Sequence, residues 1–287
     1  MPRCAFLSMD DLGEYVSDDA LAIPPLGALG WDVDTVSWRA DGVRWADYDI
    51  VVIRSTWDYF HAPAEFLTAL AQIDAQTRLL NPLHVVRWNA RKDYLRELEA
   101  KGVAAVPTVW GTQDAAPDLP ALHARLGDDI VLKPLVSGGA LDTYRLQSGS
   151  PAGSQAASAL RGREWLAQPY LSAIASEGEY SLVHFDGAHS HSILKMPASG
   201  DFRVQEHYGG TFRQVQPEPA MLDCARRALA AVDASLLYAR VDLVRSGGEF
   251  VLMELELIEP SLYFRWAPAG AQRFAAALDR VAREPGR

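Results

Sequence analysis

The sequence predicts an α/β (α+β) protein: an open α/β sheet domain at the N-terminus, then a region rich in antiparallel hairpins. Three observations carry this. Short apolar runs alternate with helix-like spacing over residues 1–85, the pattern of a sheet flanked by helices. Turn signals at Asp186-Gly187 and at Ser246-Gly247-Gly248 each separate two long extended runs. The chain has 287 residues, 49% hydrophobic and 22% charged, which suits two or three globular cores and excludes a disordered chain.

Taken in order, "RCAFLSM" is a buried strand. "SDDALAIPPLGALG" has helical spacing broken by Pro24 and Pro25. "GWDVDTVSW" and "YDIVVIRS" are further strands, and "PAEFLTALAQIDAQ" is a helix with Pro63 near its start. Asn89 is placed to cap a helix running to Lys101, with Gly102 as its stop. "VAAVPTVW" is extended. "PALHARLGDDIVLKPLVSGGALDTYRL" reads as helix, strand, glycine loop, strand. "SPAGSQAASALRG" is helical and "REWLAQPYL" is a strand ending at Pro169. "EGEYSLVHFDGAHSHSILKMP" is a hairpin, and "ASGDFRVQEHYGGTFRQV" is a loop rich in Gly and Arg. "AMLDCARRALAAVDASL" is an amphipathic helix, "YARVDLVRSGGEFVLMELEL" a hairpin, and "AGAQRFAAALDRVARE" a final helix.

Charge and composition narrow the function. A net charge of -10 with no basic patch argues against a nucleic-acid partner. No apolar run approaches the ~18 residues of a membrane span. The first fifteen residues carry acids where a signal peptide needs an apolar core, so the expected location is the cytoplasm. Cys4 and Cys224 stand far apart without metal spacing and read as reduced thiols.

The segment "LMELELIEP", residues 252–260, puts three carboxylates into an apolar run. Buried carboxylates are costly unless paired or bound to a cation. A three-residue loop at Ser246–Gly248 pairs Arg245 with Glu249, Asp242 with Leu252 and Arg240 with Glu254. In that register Arg240, Asp242, Glu254 and Glu256 share one face. Val241, Leu243, Met253, Leu255 and Leu257 take the other. Three carboxylates on one face suit Mg²⁺, with Mn²⁺ as a substitute, and a metal so held bridges to phosphates. A solvated acidic stripe is the alternative.

Elsewhere, Lys133 ends an apolar strand before a loop holding Ser137, Gly138 and Gly139, where backbone N–H groups can approach an anion. Taken alone, these residues read rather as a surface lysine beside an ordinary turn. Lys92 lies near a helix start and by itself reads as solvated. "LAQPYL" has the form of an interdomain edge that holds a purine through main-chain groups, with Glu179 positioned for ribose hydroxyls. "KMPASGDFRVQEHYGGT" brings Lys195 and Arg203 onto a loop able to close over phosphates. His184, His189, His191 and His207 lack metal-ligand spacing and read as structural.

The order of these pieces resembles the ATP-grasp superfamily, particularly the RimK and prokaryotic glutathione synthetase-like ligases. The pieces are Lys92, K-P with a glycine loop, Q-P-Y-L, G-E, an Arg/Gly loop, R-V-D and E-L-E. The likeness spans roughly residues 89–265. It implies three domains: an N-terminal α/β substrate domain (1–88), a small central domain (89–170) and a C-terminal antiparallel-sheet domain (171–287), with ATP between the last two. It implies that Lys92 and Lys133 meet the phosphates under the loop Ser137–Gly139, that Gln168, Pro169, Tyr170 and Leu171 form the adenine hinge, and that Glu179 meets the ribose. It implies catalytic roles for Arg240, Arg203 and Lys195, and metal ligation by Asp242 and Glu254. Glu256 stands where E-x-N is commoner, which leaves metal number and nucleotide affinity in doubt.

"RSTWDYF", "NPLHVVRWN" and "ELELIEPSLYF" are also similar to a branch of small ATP-grasp ligases that includes D-cycloserine synthetase. The implied activity is ADP-forming carboxylate–amine ligation through an acyl phosphate, on an amino-acid-like substrate. Ring closure of O-ureido-D-serine is the specific case, and intermolecular amide ligation or a catalytically silent nucleotide-binding regulator the alternatives. Substrate contacts are expected at the ends of the N-terminal strands, at Asp10, Arg54, Ser55, Trp57, Asp58 and Tyr59, with Ser261 and Tyr263 opposite. Arg54 and Asp58 are the expected partners of an amino acid's two charges; a packed loop with an internal Arg–Asp pair is the alternative. The protein is expected to act as a monomer or homodimer.

Overall fold

The structure is a computed structural model and describes residues 1–284. Its N-terminal part follows the alternating pattern. β1 (Arg3–Ser8) leads through a 3-10 turn (Asp19–Ala22) into α1 (Ile23–Ala28), followed by β2 (Asp32–Ser37), β3 (Ile50–Ser55), α2 (Pro63–Asp74) and β4 (Arg78–Leu80). These strands form one parallel sheet in the order β2-β1-β3-β4. Pro24 and Pro25 lie in the first turn of α1, where a missing N–H costs nothing, so they start the helix rather than break it.

Alternation along the strands decides what each face buries. Cys4 and Phe6 of β1, with Ile50 and Val52 of β3, pack on one side; Ala5, Leu7, Val51 and Ile53 pack on the other against Phe66 and Leu70 of α2. Each fully buried side chain of this size contributes about 1.5–3 kcal/mol.

Next come α3 (Leu83–Asn89), α4 (Tyr94–Ala100), β5 (Val109–Gly111), α5 (Leu119–Leu126), β6 (Asp129–Pro134), β7 (Tyr144–Gln147), α6 (Ala152–Ala159) and β8 (Trp165–Pro169). The strands make a small antiparallel sheet, β5-β8-β6-β7, with its own core of Leu122, Ile130, Leu132, Leu160 and Trp165. The expected single helix from Asn89 to Lys101 is two helices. Asn89 ends α3 instead of capping a helix, while Gly102, at φ 85°, does stop α4.

The last part holds α7 (Ala173–Ser176), β9 (Glu179–Phe185), β10 (Ala188–Met196), β11 (Thr211–Val215), α8 (Pro219–Ala230), β12 (Tyr238–Ser246), β13 (Glu249–Glu256) and α9 (Ala269–Arg283). Its antiparallel sheet runs β11-β10-β9-β12-β13. β11 lies within the stretch expected to be loop only: pairing with β10 makes it an edge strand. α8 packs on one face through Met221, Ala225 and Ala228. α9 reaches back to the first sheet, where Phe274 and Leu278 share a core with Phe6, Leu26 and Phe185.

β13 ends the sheet, and an open edge exposes unpaired backbone groups. Here α3 and α4 cover it. Asn89 Nδ2 donates to Leu255 O (2.8 Å), its Oδ1 accepts from Leu257 N (2.9 Å), and Tyr94 Oη accepts from Leu255 N (2.9 Å). Leu252 exchanges backbone hydrogen bonds with the segment Ala104–Val106. The strand that carries the acids is therefore fixed on both edges.

Candidate functional site

The acids reach one face by a route different from the expected one. The hairpin turns on two residues, Gly247 and Gly248, at φ 60° and 92°, and Ser246 pairs with Glu249. Continued regularly, this register would set Asp242 opposite Met253 and turn Glu254 towards the core. A β-bulge at Met253 restores the parity: Asp242 lies opposite Glu254 and Arg240 opposite Glu256. The predicted pairs, Asp242 with Leu252 and Arg240 with Glu254, are therefore corrected, while the shared face stands. Met253 also departs from expectation. It leaves the core face and packs beside Val106, Ile174, Val204 and Val244.

Carboxylate oxygens of Asp242, Glu254 and Glu256 come within 4.8 Å of one another. Three hard oxygen donors in this arrangement fit a divalent cation such as Mg²⁺. Arg240 donates to Asp242 from Nε (3.1 Å) and Nη2 (2.8 Å), and its Nη2 also reaches Glu256. Lys92 Nζ lies 2.9 Å from Glu254 and donates to Ser137 O at 2.9 Å. Lys195, 3% exposed, pairs with Glu179 and stands 3.4 Å from Asp242.

Burial and charge compete at each acid. Burial raises the Asp242 carboxyl, but Arg240, Lys195 and the Ser181 hydroxyl outweigh it and hold it at about 2. Burial also raises Glu254, which Lys92 and Lys133 bring below the usual value. Burial, helped by Asp242 and Glu254 and opposed by Arg240, pushes Glu256 up to about 7. Glu259 is pushed up to about 8 by burial and then by Glu256. Burial lowers Lys133, and among the described residues no carboxylate stands within ion-pair distance of it.

These groups line one cleft of about 410 Å³ between the central and C-terminal sheets, a size suited to a small-molecule ligand. Its inner end is apolar, with Val131, Leu171, Ile174, Val204 and Met253. Gln168 and Pro169 line it too, and Gln168 is anchored through Nε2 to Thr108 Oγ1 (3.0 Å). Tyr170 points away, under the Arg145 guanidinium at 3.6 Å. Ser137, Gly138 and Gly139 form the roof. A Cβ on Gly138 would meet the Phe60 ring at 2.7 Å, so only glycine lets the loop lie this close. Arg203 reaches the cleft, but its guanidinium is engaged by Asp201 (2.7 Å) and lies over Tyr208. Glu179 lines the cleft while occupied by Lys195.

Of the eight expected substrate residues, Trp57, Tyr59, Ser261 and Tyr263 line the cleft; Asp10, Arg54, Ser55 and Asp58 do not. Arg54 and Asp58, expected to meet the substrate's two charges, are each taken by another residue, and they do not form the alternative internal pair with each other. Strand β3 is buried on both faces, and Arg54, 1% exposed, donates from Nε to Asp19 (2.9 Å) and from Nη2 to Pro260 O (2.9 Å). Asp58 accepts from Trp38 Nε1 (2.8 Å) and pairs with Arg39. Ser55 donates to Ser8, and Asp10 accepts from Ser37. Arg54 ties the N-terminal part to Pro260, and the other three bond within that part.

Tyr15, His207 and Glu259 are among the lining residues that the sequence left without a site role. Tyr15 stacks near Trp57 and His207 (centroids 5.8 and 5.5 Å) and closes the cleft from the N-terminal side. His207 meets it from the loop after β10. Glu259 lines the floor. The one available signal was Glu259 itself, a carboxylate in an apolar run.

Comparison with known proteins agrees with this geometry. Residues 4–81 match the family described as D-cycloserine synthetase DcsG, N-terminal domain. Over 279 residues the chain is 34% identical to the cycloserine biosynthesis protein DcsG of Streptomyces lavendulae, covering 89% of this chain and 92% of that protein. The crystal structure of D-cycloserine synthetase DcsG superposes with a TM-score of 0.86 at 28% identity, over 98% of this chain and 100% of that one. The D-alanine–D-alanine ligase of Bacillus anthracis shares the fold, with a TM-score of 0.71 at 15% identity and full coverage of both chains. The expected ATP-grasp architecture is thereby borne out.

Proposed function

The chain belongs to the family of the cycloserine biosynthesis protein DcsG and is an ATP-dependent ligase; from that premise we propose that it closes the ring of O-ureido-D-serine in cycloserine biosynthesis, forming ADP and phosphate. One observation supports this most: the acids Asp242, Glu254 and Glu256 share a cleft with the cations Lys92, Lys133, Lys195 and Arg240. That is the equipment for handling a polyphosphate beside a carboxylate.

Asp242, Glu254 and Glu256 would hold Mg²⁺. The metal would neutralise phosphate charge. The adenine fits the apolar end near Leu171 and Met253, with main-chain groups of residues 168–171 at its edge. Lys133, which has no carboxylate within ion-pair distance among the described residues, meets the phosphates, and Lys92 stands beside it on Glu254. Arg203 closes from above on release from Asp201. Arg240 orients the substrate carboxylate, whose oxygen attacks the γ-phosphorus as the bond to ADP breaks. The ureido nitrogen bonded to the side-chain oxygen then attacks the acyl carbon, inorganic phosphate departs with that nitrogen's proton, and water removes the carbamoyl group left on the ring nitrogen as carbon dioxide and ammonia. Arg240 stabilises the charge that builds on the carbonyl oxygen. No protein nucleophile takes part. Positioning and fixed charge supply the rate enhancement.

The test is a release assay with Mg-ATP and O-ureido-D-serine, scored for ADP, phosphate and the cyclic product. ADP release that needs this acid alone supports the proposal. A requirement for a separate amine supports intermolecular ligation instead. AMP formation, or release without any carboxylic acid, overturns the reading.

A further inference from the structure

The substrate's positive charge needs a partner, and the residues expected to supply it are taken. Asp58 is bound to Arg39 and Trp38, and Asp10 lies outside the cleft. The cleft's other acids are also paired: Glu179 with Lys195, Asp242 and Glu256 with Arg240, Glu254 with Lys92, and Glu206 with Arg265. Glu14 is exposed at the rim. Among the described residues this leaves Glu259 as the half-buried lining carboxylate with no cation within ion-pair distance.

Its backbone is held rigidly. Trp57 Nε1 donates to Glu259 O (2.8 Å), Arg54 to Pro260 O (2.9 Å), and the Tyr238 hydroxyl lies 2.7 Å from Ile258 O. Trp57, which holds the Glu259 carbonyl, and Tyr59, which feels the Glu259 charge, line the same cleft, so aromatic side chains stand among its neighbours. A fixed carboxylate beside aromatic faces is a site for an ammonium group, through charge-assisted hydrogen bonds and ring quadrupoles. The anion-binding group, Arg240, stands on the neighbouring strand, opposite Glu256. Arg240 and Glu259 line the same cleft, which puts an anion-binding and a cation-binding group in one site.

We propose that Glu259 binds the α-ammonium group of the substrate and makes the enzyme select amino acids over the corresponding hydroxy acids. This rests on the ligase reading above and adds the specificity element it lacked. The unliganded carboxylate bears a cost that a cationic ligand removes, which is how selection against an isosteric neutral group is obtained.

The experiment measures ADP release with Mg-ATP across a panel of D- and L-amino acids, O-ureido-D-serine included, each paired with its 2-hydroxy analogue. Wild type is expected to respond to the amino members alone. Glu259→Gln is expected to raise KM for the amino acid about 10- to 100-fold, the range of a charge-assisted hydrogen bond, with KM for ATP changed less than about threefold. Glu259→Asp is expected to recover part of the loss. Hydroxy acids that serve wild type equally well, or an unchanged amino/hydroxy preference in Glu259→Gln, overturn the inference and leave the ligase reading intact. If no acid in the panel elicits release, both fall.

Discussion

A carboxylate held ready for an absent cation should destabilise the free protein, and Glu259→Gln measures by how much. In the fold the Glu259 carboxyl moves from 4.5 to about 8, burial first and then repulsion from Glu256. At about 1.36 kcal/mol per unit the full shift corresponds to about 5 kcal/mol, an upper limit because the group is half-buried and its neighbours also titrate. The folded state holds this proton more tightly than the unfolded chain. Its stabilising contribution is therefore complete below about pH 4.5 and lost as pH rises through about 8. Glutamine fills the same space and cannot ionise. Urea unfolding in chelator, without nucleotide, should show Glu259→Gln gaining on wild type as pH rises from 5 to 8, reaching about 2–4 kcal/mol after discount. A difference that stays flat between those pH values would refute the account, because it would mean the carboxylate is already compensated. The same variant that loses substrate affinity is thus expected to be the more stable protein.

Three further variants test the cleft. Arg240→Ala should reduce carboxylate-dependent ADP release about 10²- to 10³-fold while calorimetry finds Mg-ATP affinity nearly intact; turnover at the wild-type rate would remove Arg240 from the mechanism. Because Arg240 separates Asp242 from Glu256, the variant should also lose about 3–5 kcal/mol in chelator and recover part of it on adding Mg²⁺. Lys133→Ala should weaken Mg-ATP binding about 10- to 100-fold, since no carboxylate stands within ion-pair distance to share its charge. Asn89→Ala should cost about 2–4 kcal/mol in urea unfolding by orphaning Leu255 O and Leu257 N, and a loss below about 1 kcal/mol would show that water replaces it.

Much of the fold was legible because each long element buries one face, and burial writes period 2 or 3.6 into the chain. β4, with three residues, and β11, an edge strand inside a Gly- and Arg-rich stretch, were not, because their existence depends on a partner strand rather than on their own pattern. Nucleotide-side residues were read from their order, and most line one cleft. Substrate-side residues fared worse. Arg54 and Asp58 look like a pair by proximity in sequence. But Arg54 ends a strand buried on both faces and turns to Asp19, while Asp58 lies past it and meets Arg39. Partner choice at that range is set by tertiary packing, which a local reading does not contain.

The acidic hairpin shows which part of such a reading is robust. The expected three-residue loop and the observed two-residue turn with a bulge at Met253 differ in every opposed pair, yet both put Arg240, Asp242, Glu254 and Glu256 on the same face. The reason is that faces depend only on parity, and one extra residue in the turn and one extra in the strand change parity equally. The place of the extra residue still matters. In the turn it would be exposed and without consequence. At position 253 it lets the strand present its acids to the cleft and, one residue earlier, a thioether to the apolar end of the same cleft. The bulge thereby gives one strand both the cluster of acids and part of the cleft's apolar wall, which a regular ladder, with Met253 on the core side, would have kept apart.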